Sequence, residues 1–363
     1  AGRAASFLPK SLPSTGKRVA VVGAGPAGLG CATELARLGH QVVVFERAEQ
    51  AGGLNTYGIA YYKMKPVISL EEVELVRSLG VEIRCGVEVG RDITAEQLTS
   101  DFDAVFIGVG LGDGTRLRIP GENLPGVRDA LEFIREIHTK PLHDVSVGSS
   151  VAVIGCGNTA IDAATQARRL GANRVVVIYR RSEGDMSAYG FEYKLAQADG
   201  AQFMFNTAPV EVVGAGGRVS ALKLVKTRNS PGGPAEPLPG TEFTESFDLV
   251  LKAVGQEKQS GLISQLFPGL AIDKRGVVQR DPLTGATNLP GVFAGGDCGN
   301  GGREVVNAVG EGKKAARGIH AMLADENVAG PVQPSRLGAR DGAVGSGLVK
   351  PIRAHELEAQ LIK

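Results

Sequence analysis

Short runs of β-branched residues, each followed by glycines and an alanine-rich stretch, occur at two places in the chain. Residues 19–32 read VAVVGAGPAGLGCA, and residues 151–164 read VAVIGCGNTAIDAA. A second apolar run follows each copy, QVVVFE at 41–46 and RVVVIYRR at 174–181. Strand, glycine loop, helix and strand in this order form the parallel βαβ unit, so the pattern predicts two such units. The copies begin 151 − 19 = 132 residues apart, which is a domain-sized spacing rather than that of a solenoid repeat.

Two further apolar runs indicate where the chain crosses between these units. FDAVFIGVGLGDGTRLRIPG, residues 102–121, reads as a buried strand that leaves through glycines and a proline. FDLVLKAVGQ, residues 247–256, is its counterpart in the second half. The Pro/Gly-rich stretch at 227–243 predicts a surface hairpin connection without chemistry.

Composition narrows the class of protein. The 363 residues are 43% hydrophobic, which is enough for two packed domains. The chain has 40 lysine and arginine residues and 39 aspartate and glutamate residues, so its formal net charge is +1. A chain this close to neutral has no strong positive potential to attract nucleic acid. We expect no membrane span, because no apolar run approaches the roughly 18–20 residues that cross a bilayer. The first 18 residues lack a signal-peptide core, so the expected location is cytoplasmic, and a start at Ala1 rather than Met is typical of a fragment.

The four cysteines, Cys31, Cys85, Cys156 and Cys298, lie far apart in sequence. They form neither a C-x-x-C pair nor a zinc or iron–sulfur spacing, so we expect no metal site. They are predicted to be free thiols of a reducing compartment. Cys298 follows Asp297 and is interpreted as a small buried thiol rather than a reactive group.

The first glycine loop has the dinucleotide-binding pattern G-x-G-x-x-G at Gly23, Gly25 and Gly28. Gly23 permits the tight turn, Gly25 lets a pyrophosphate approach the backbone, and Gly28 allows close helix–strand packing. Glu46 ends the next strand, where its carboxylate accepts from ribose hydroxyls and repels a 2′-phosphate. This loop is therefore predicted to bind FAD or NAD, and not NADP.

The second loop, Gly155-x-Gly157-x-x-Ala160, has no acid at the end of its second strand. Tyr179, Arg180 and Arg181 stand there instead, and guanidinium groups suit a 2′-phosphate. The pattern predicts NADPH at this loop. The alternative is a solvated arginine pair with NADH as the nucleotide.

Two glycine-rich stretches resemble parts of the flavoproteins that have two dinucleotide-binding domains. AGGLNTYGI (51–59) follows Glu46, and GVFAGGDCGN (291–300) precedes a long helix that we expect to begin near 303–306. The resemblance implies that the first loop binds the ADP half of FAD and that the G-G-D block, which ends at Asp297, holds the ribityl and pyrophosphate region. The helix N-terminus would then face the flavin pyrimidine edge, where reduced flavin carries negative charge. The alternative role for Asp297 is that of a helix cap.

VIGCGNTAIDAA, VVVIYRRSEGDMSAY and GVFAGGDCGNGGREVVNAVGEGKKAA resemble one branch of these flavoproteins, over roughly residues 15–323. That branch contains the small subunit of glutamate synthase and the electron-input part of dihydropyrimidine dehydrogenase. GGLNTYGIAYYK and DMSAYGFEYKLA favour the dihydropyrimidine dehydrogenase type. Two departures stand out. The branch holds iron–sulfur clusters on a cysteine-rich N-terminal segment, for which the four scattered cysteines here cannot serve, so we expect either that the segment was removed or that the electrons are handed on differently. Ala60 and Lys63 replace a proline and an arginine.

We therefore predict an α/β fold with two Rossmann-like dinucleotide-binding domains, the NAD(P)H domain inserted into the FAD domain. The predicted boundaries are 1–112 and 285–323 for the FAD domain, 113–284 for the NAD(P)H domain, and 324–363 for a C-terminal linker or docking tail. The residues expected to bind FAD are Gly23, Gly25, Pro26, Ala27, Gly28, Glu46, Gly52, Gly53, Leu54, Gly110, Gly296, Asp297, Val305 and Val306. Those expected to bind NADPH are Gly155, Gly157, Asn158, Thr159, Ala160, Arg180, Arg181 and Gly255.

The resemblance implies an FAD-dependent oxidoreductase that takes hydride from NADPH, or NADH, and passes electrons to a partner subunit or domain. The cofactors carry this chemistry, so no catalytic side chain is assigned. Absence of a cysteine pair disfavours disulfide reduction. Two alternatives stay open: a stand-alone NAD(P)H:ferredoxin or quinone reductase, and a non-catalytic dinucleotide-binding redox sensor or scaffold.

Overall fold

The first of two parallel sheets contains the first glycine loop. The computed structural model describes residues 11–229 and 234–324. The five strands of this sheet run in the order β14-β4-β1-β2-β3, and every neighbouring pair is parallel. Their bounds are β1 Arg18–Val22, β2 Gln41–Glu46, β3 Glu82–Cys85, β4 Ala104–Ile107 and β14 Val292–Ala294. Because β14 comes from the end of the described chain, the intervening residues form an insertion.

The second parallel sheet lies inside that insertion and repeats the arrangement. Its five strands run in the order β5-β13-β6-β7-β8. Their bounds are β5 Val127–Asp129, β6 Ser150–Ile154, β7 Arg174–Ile178, β8 Gln202–Met204 and β13 Leu249–Lys252. The predicted α/β fold with one Rossmann-like domain inserted into another is confirmed by these two sheets.

Four antiparallel strands that the sequence pattern did not predict join β8 to β13. They are β9 Thr207–Ala215, β10 Arg218–Arg228, β11 Glu236–Pro237 and β12 Phe243–Ser246. The central β10 pairs with β9, β11 and β12. The pairing of β10 with β11 makes the predicted Pro/Gly-rich stretch a hairpin connection, of which residues 230–233 lie outside the described residues.

The part of the chain that the structure describes contains ten α-helices. They are α1 Pro26–Arg37, α2 Leu54–Tyr57, α3 Pro66–Ser78, α4 Ala95–Asp101, α5 Ala130–Thr139, α6 Asn158–Arg169, α7 Gly190–Ala198, α8 Ser260–Leu266, α9 Asp297–Asn300 and α10 Val305–Leu323. Helices α1 and α6 start directly after the glycine loops, and Pro26 stands where a helix tolerates proline best. Helix α10 begins within the range predicted for it. The tail predicted over 324–363 lies outside the described residues from 325 onward.

Helices α1 and α10 approach each other closely because glycines stand where they meet. A β-carbon at Gly312 would overlap the carbonyl oxygen of Ala27, and one at Gly30 would lie 3.0 Å from the carbonyl oxygen of Val309. Because these two positions carry no side chain, α10 can pack directly against α1. The start of α10 is thereby fixed against the start of α1.

Two linkers join the domains and hydrogen-bond to each other as a short antiparallel ribbon. Gly112 N donates to Glu257 O at 2.9 Å, and Thr115 N donates to Gly255 O at 2.9 Å. After this ribbon, Ile263 and Phe267 pack in the core of the first sheet with Val22 and Phe45. We therefore propose that the second domain boundary lies near residue 256, ahead of the predicted position at 284.

Within residues 11–229 and 234–324, no helix combines the length and the apolar character that crossing a membrane requires. Over the same residues, no cluster of three or more histidine, cysteine, aspartate or glutamate side chains is placed to hold a metal ion.

Candidate dinucleotide sites

Two of the three glycines in the first glycine loop, Gly23 and Gly28, leave no room for a side chain. Gly23 has φ +97°, and a β-carbon there would lie 2.6 Å from the carbonyl oxygen of Gly108. A β-carbon at Gly28 would overlap the carbonyl oxygen of Gly23, so Gly28 lets α1 pack onto the loop. The loop is held to the sheet by a 2.8 Å hydrogen bond from Gly23 N to Phe45 O. Its backbone therefore lies at the carboxyl edge of the parallel sheet, where such folds bind ligands.

Glu46 lies at the carboxyl end of β2 and is 9% exposed. Its Oε2 accepts a hydrogen bond from Ala24 N at 2.7 Å, and its Oε1 accepts one from Ala48 N at 2.8 Å. A carboxylate offers about four lone-pair sites, so acceptor capacity is left for ribose hydroxyls. The same side chain thus fastens the glycine loop and presents an acceptor to the cavity.

A cavity of about 570 Å³ lies against the first glycine loop. Most of the residues predicted to bind FAD line it: Gly23, Gly25, Pro26, Ala27, Glu46, Gly53, Leu54, Gly110, Gly296, Asp297 and Val305. Three do not. Gly28 and Gly52 face protein, since a β-carbon at Gly52 would overlap Thr56 Oγ1, and Val306 is 76% exposed. The sequence analysis missed other lining residues, among them Arg47 and Arg303, for which adjacency to Glu46 and to the G-G-D block was the available signal.

The G-G-D block is held by a partly buried ion pair behind it. Glu311 Oε2 accepts from Gly296 N at 2.8 Å and pairs with Arg280 at 2.8 Å. Asp297 Oδ1 accepts from Arg303 N at 3.1 Å, so its side chain caps the turn before α10 rather than α9. Burial raises the pKa of Asp297, and this hydrogen bond opposes the rise.

Helix α10 points its N-terminus at the same cavity. Val305 and Ala308 line the cavity, and no side chain caps the first backbone N–H groups of the helix. Free N–H groups at a helix start favour negative charge. The arrangement therefore suits a group that becomes anionic at this end of the cavity.

The second glycine loop repeats the geometry of the first. Gly155 N donates to Ile178 O at 3.0 Å, as Gly23 N does to Phe45 O. Gly155 has φ +122°, and a β-carbon there would overlap the carbonyl oxygen of Ala253. Asn158, the first residue of α6, accepts a hydrogen bond from Tyr189 N at 3.0 Å. Ala160 is fully buried, so it supports the packing of α6 instead of facing a ligand.

A second cavity, of about 670 Å³, lies against this loop. The predicted residues that line it are Gly155, Gly157, Asn158, Thr159, Arg180 and Gly255. Arg181 is not among the lining residues, and its carbonyl oxygen accepts from Asn206 N at 2.9 Å. Of the two arginines after β7, the structure thus brings only Arg180 to the cavity wall. Arg116 also lines the cavity, and no motif indicated it.

The two cavities share a wall. Asp129, Leu131 and Gln256 line both of them. Asp129 Oδ1 accepts from Leu131 N at 2.9 Å and so caps α5, while Gln256 Nε2 donates to Gly112 O at 2.9 Å in the linker ribbon. Burial raises the pKa of Asp129. The far ends of two extended ligands would therefore meet at this wall.

The protonation state and spacing of the cysteines argue against thiol–disulfide exchange at either cavity. All four are free thiols, and Cys298 donates to the carbonyl oxygens of Gly295 and Ile107. Burial raises the pKa of Cys298 to about 11 and that of Cys156 to about 11, which keeps both protonated. A thiol–disulfide exchange site would need a thiolate and a partner cysteine.

The chemistry of each cavity wall fits a dinucleotide. A glycine loop that feeds a helix N-terminus suits a pyrophosphate, and it occurs at both cavities. The end of the following strand differs: a carboxylate at the first cavity and a guanidinium at the second. This difference favours the binding of a different dinucleotide in each cavity.

Comparison with known proteins places this geometry in a family. The family described as pyridine nucleotide-disulphide oxidoreductase matches residues 17–312. The β subunit of NADP(+)-dependent formate dehydrogenase from Moorella thermoacetica is 39% identical over 85% of this chain and 44% of its own length. The small chain of glutamate synthase [NADPH] from Halomonas elongata is 39% identical over 84% of this chain and 68% of its own.

Solved structures show the same fold at low identity. Mycobacterium tuberculosis FprA in complex with NADPH superposes with a TM-score of 0.70 at 20% identity, covering 86% of this chain and 85% of that one. Lactococcus lactis thioredoxin reductase gives 0.67 at 21% identity. The chain spans about half the length of the curated relatives first matched, at 44% and 51%. The chain is an oxidoreductase of the pyridine nucleotide-disulphide oxidoreductase family, which binds FAD and NAD(P)H, and it belongs to the branch that includes the small chain of glutamate synthase.

Proposed function

We propose that the chain accepts hydride from NADPH onto FAD and hands the electrons to a separate redox partner. The observation that carries this proposal is the shared wall: Asp129, Leu131 and Gln256 face both cavities. Hydride transfer requires the nicotinamide and the flavin to be in contact, and adjoining cavities allow that contact.

In this proposal FAD occupies the first cavity. The backbone of Gly23 and Gly25 would hold its pyrophosphate, and Glu46 would accept from its adenosine ribose. The start of α10 would stabilise the charge that two-electron reduction adds near the pyrimidine edge. Bound there, the flavin supplies the ability to take a hydride and release electrons afterwards.

NADPH would occupy the second cavity. The loop from Gly155 to Gly157 would hold the pyrophosphate, and Arg180 would pair with the 2′-phosphate. Arg180 supports NADPH over NADH, because it lies on the cavity wall and no carboxylate occupies the position that Glu46 takes in the first domain.

The redox partner is supported by the relatives, which are named as a small chain and a β subunit of larger enzymes. Electron balance requires such an acceptor: NADPH and a proton reduce FAD, and the two electrons must then leave to restore it. No cysteine pair in the sequence is spaced to receive them.

Turnover with an artificial acceptor tests the acceptance of hydride and the release of electrons. The purified chain, with FAD identified after heat release, would be mixed with NADPH and excess ferricyanide. We expect NADPH oxidation with two ferricyanide ions reduced per NADPH. A chain that binds FAD and NADPH but shows no oxidation of NADPH would support the redox sensor or scaffold instead.

A further inference from the structure

A short segment of the first domain lies on three helices of the second. The carbonyl oxygen of Ile59 contacts Nε2 of His138, on α5, at 2.6 Å. Tyr61 N donates to Gln166 Oε1, on α6, at 2.9 Å. Residues 59–63, here called the docking segment, thus join the domains through contacts separate from those of the linker ribbon.

One cation at the end of the docking segment binds two buried carboxylates of the second domain. Lys63 Nζ lies 2.7 Å from Asp162 Oδ1 and 2.7 Å from Glu192 Oε1. The side chains of Asp162 and Glu192 are each 8% exposed, and that of Lys63 is 26% exposed. Tyr62 also donates to Asp162, at 2.8 Å, and the guanidinium of Arg169 lies 4.6 Å from the Tyr62 ring centroid.

The two carboxylates depend on this cation. Two buried negative charges that approach the same ammonium also repel each other, and an unpaired buried charge is strongly unfavourable. The attraction therefore requires the second domain to lie where Asp162 and Glu192 both reach Lys63. Rotation of one domain about the linker ribbon would break both ion pairs.

The groups that Lys63 joins support the two cavities. Asp162 lies on α6, the helix that starts at the second glycine loop. The docking segment follows α2, whose Leu54 and Tyr57 line the first cavity. One ammonium thus connects the element beside one nucleotide cavity to the helix that begins at the other.

We propose that Lys63 is a positioning residue, which fixes the orientation of the two domains so that the nicotinamide and flavin positions meet. This inference rests on the proposed function for its effect on rate, and on geometry alone for its effect on domain orientation. The linker ribbon by itself leaves rotation open, because backbone hydrogen bonds between two chain segments do not restrain the faces on either side.

The first test measures the rate of flavin reduction by NADPH in anaerobic stopped flow. Because misplacement by about 1 Å can slow a reaction 10²-fold, Lys63→Met should lower the limiting rate at least ~10-fold. The Kd of NADPH and the FAD content should change less than ~2-fold, since Lys63 touches neither cavity. Lys63→Arg should keep most of the rate, and the exposed neighbour Lys65→Met is the matched control. A limiting rate in Lys63→Met within twofold of the unchanged chain would overturn the proposal.

A second measurement reads domain orientation without turnover. Spin labels on Glu72→Cys in α3 and Ala198→Cys in α7 report one interdomain distance by electron–electron double resonance. Cys85→Ser removes the half-exposed native thiol from the background. We expect one narrow distance in the parent and in Lys63→Arg, and a broad or shifted distribution in Lys63→Met. An unchanged narrow distance in Lys63→Met contradicts the positioning role, even if the parent fails to oxidise NADPH.

A neutral variant separates positioning from simple destabilisation. Lys63→Met with Asp162→Asn and Glu192→Gln removes the cation and both unpaired charges together, so thermal stability should recover. The proposal requires flavin reduction to stay slow in this stable variant, because the two ion pairs of Lys63 no longer fix the docking segment to the second domain. Recovery of the rate along with stability would show that Lys63 only neutralises buried charge.

Discussion

Glu46 Oε2 accepts a 2.7 Å hydrogen bond from the backbone N–H of Ala24, inside the first glycine loop. The other oxygen of the same carboxylate accepts from Ala48 N at 2.8 Å. The bond from Ala24 ties the end of β2 to the loop, and the bond from Ala48 fixes the carboxylate in place. The residue that we propose would repel a 2′-phosphate therefore also shapes the loop that would hold the pyrophosphate.

Replacing Glu46 by glutamine should lower the FAD content of the purified chain. An amide has one acceptor oxygen, so its NH₂ group would face the N–H of Ala24 or Ala48 without a partner, at a cost of about 1–3 kcal/mol. The ratio of flavin to protein absorbance measures the loss. The exposed Glu49→Gln is the matched control and should keep the parent's flavin. Equal flavin in both variants would contradict the role given to Glu46.

Two glycines of α10 should respond in opposite ways to alanine. Gly312→Ala places a methyl group against the carbonyl oxygen of Ala27, so it should lower the free energy of unfolding by about 1–3 kcal/mol or more. It should also reduce FAD content, because Ala27 lines the first cavity. Gly310→Ala meets nothing within 4 Å and should be neutral or stabilise by up to about 1 kcal/mol. Thermal unfolding of both variants checks this, and the pair is refuted if the two melt alike.

Arg180→Ala should weaken binding of NADPH more than that of NADH. Loss of a charge-assisted contact to a 2′-phosphate costs about 1.5–3 kcal/mol, which corresponds to roughly 10- to 100-fold in the KM for NADPH. Arg181→Ala serves as the matched comparison, because Arg181 does not line the second cavity, and its effect should be smaller. Steady-state kinetics of both variants with NADPH and with NADH measure these changes in KM. A larger effect from Arg181 than from Arg180 would overturn this assignment.

His40 makes the chain less stable as the solution becomes acidic. Burial, first, and the neighbouring His320 lower the pKa of His40 from 6.5 to about 4. Its Nε2 lies 2.9 Å from His320 Nδ1, and its Nδ1 lies 2.8 Å from Thr15 Oγ1. Between pH 6.5 and about 4 the unfolded chain binds a proton at His40 that the folded chain does not bind. The free energy of unfolding therefore decreases as the pH is lowered across this window.

The loss due to His40 should be on the order of 1–2 kcal/mol, because part of the shift is screened by solvent. Urea unfolding at pH 7 and pH 4.5 measures it. In His40→Gln the difference between the two pH values should shrink, whereas the exposed His143→Gln should retain it. An identical pH dependence in His40→Gln would show that other groups cause the decline.

The elements that form through contacts between neighbouring residues could be predicted from the sequence. The strand, glycine loop and helix around Gly23 and Gly155 follow from β-branched runs and from turns that only glycine permits, so both βαβ units were predictable. The antiparallel strands between Thr207 and Ser246 were not, because strands that face both core and solvent irregularly lack a clear period.

The shared wall between the cavities shows where sequence reasoning stopped. Asp129 and Gln256 lie 127 residues apart, by 256 − 129, and their meeting depends on how two domains pack. The helix-capping position of Asp129 was readable from the sequence, but its place on the wall shared by the two cavities was not. The ion pairs of Lys63 with Asp162 and Glu192 likewise join distant segments, and a substitution at Lys63 alone gave no indication of its partners.

The central claim is that two adjoining cavities pass hydride from NADPH to FAD. Anaerobic titration of the purified chain with NADPH, and separately with NADH, while the flavin absorbance near 450 nm is recorded, tests it most directly. The account predicts that one equivalent of NADPH bleaches the flavin and that NADH does so more slowly or at higher concentration. A flavin that neither nucleotide bleaches would contradict the account.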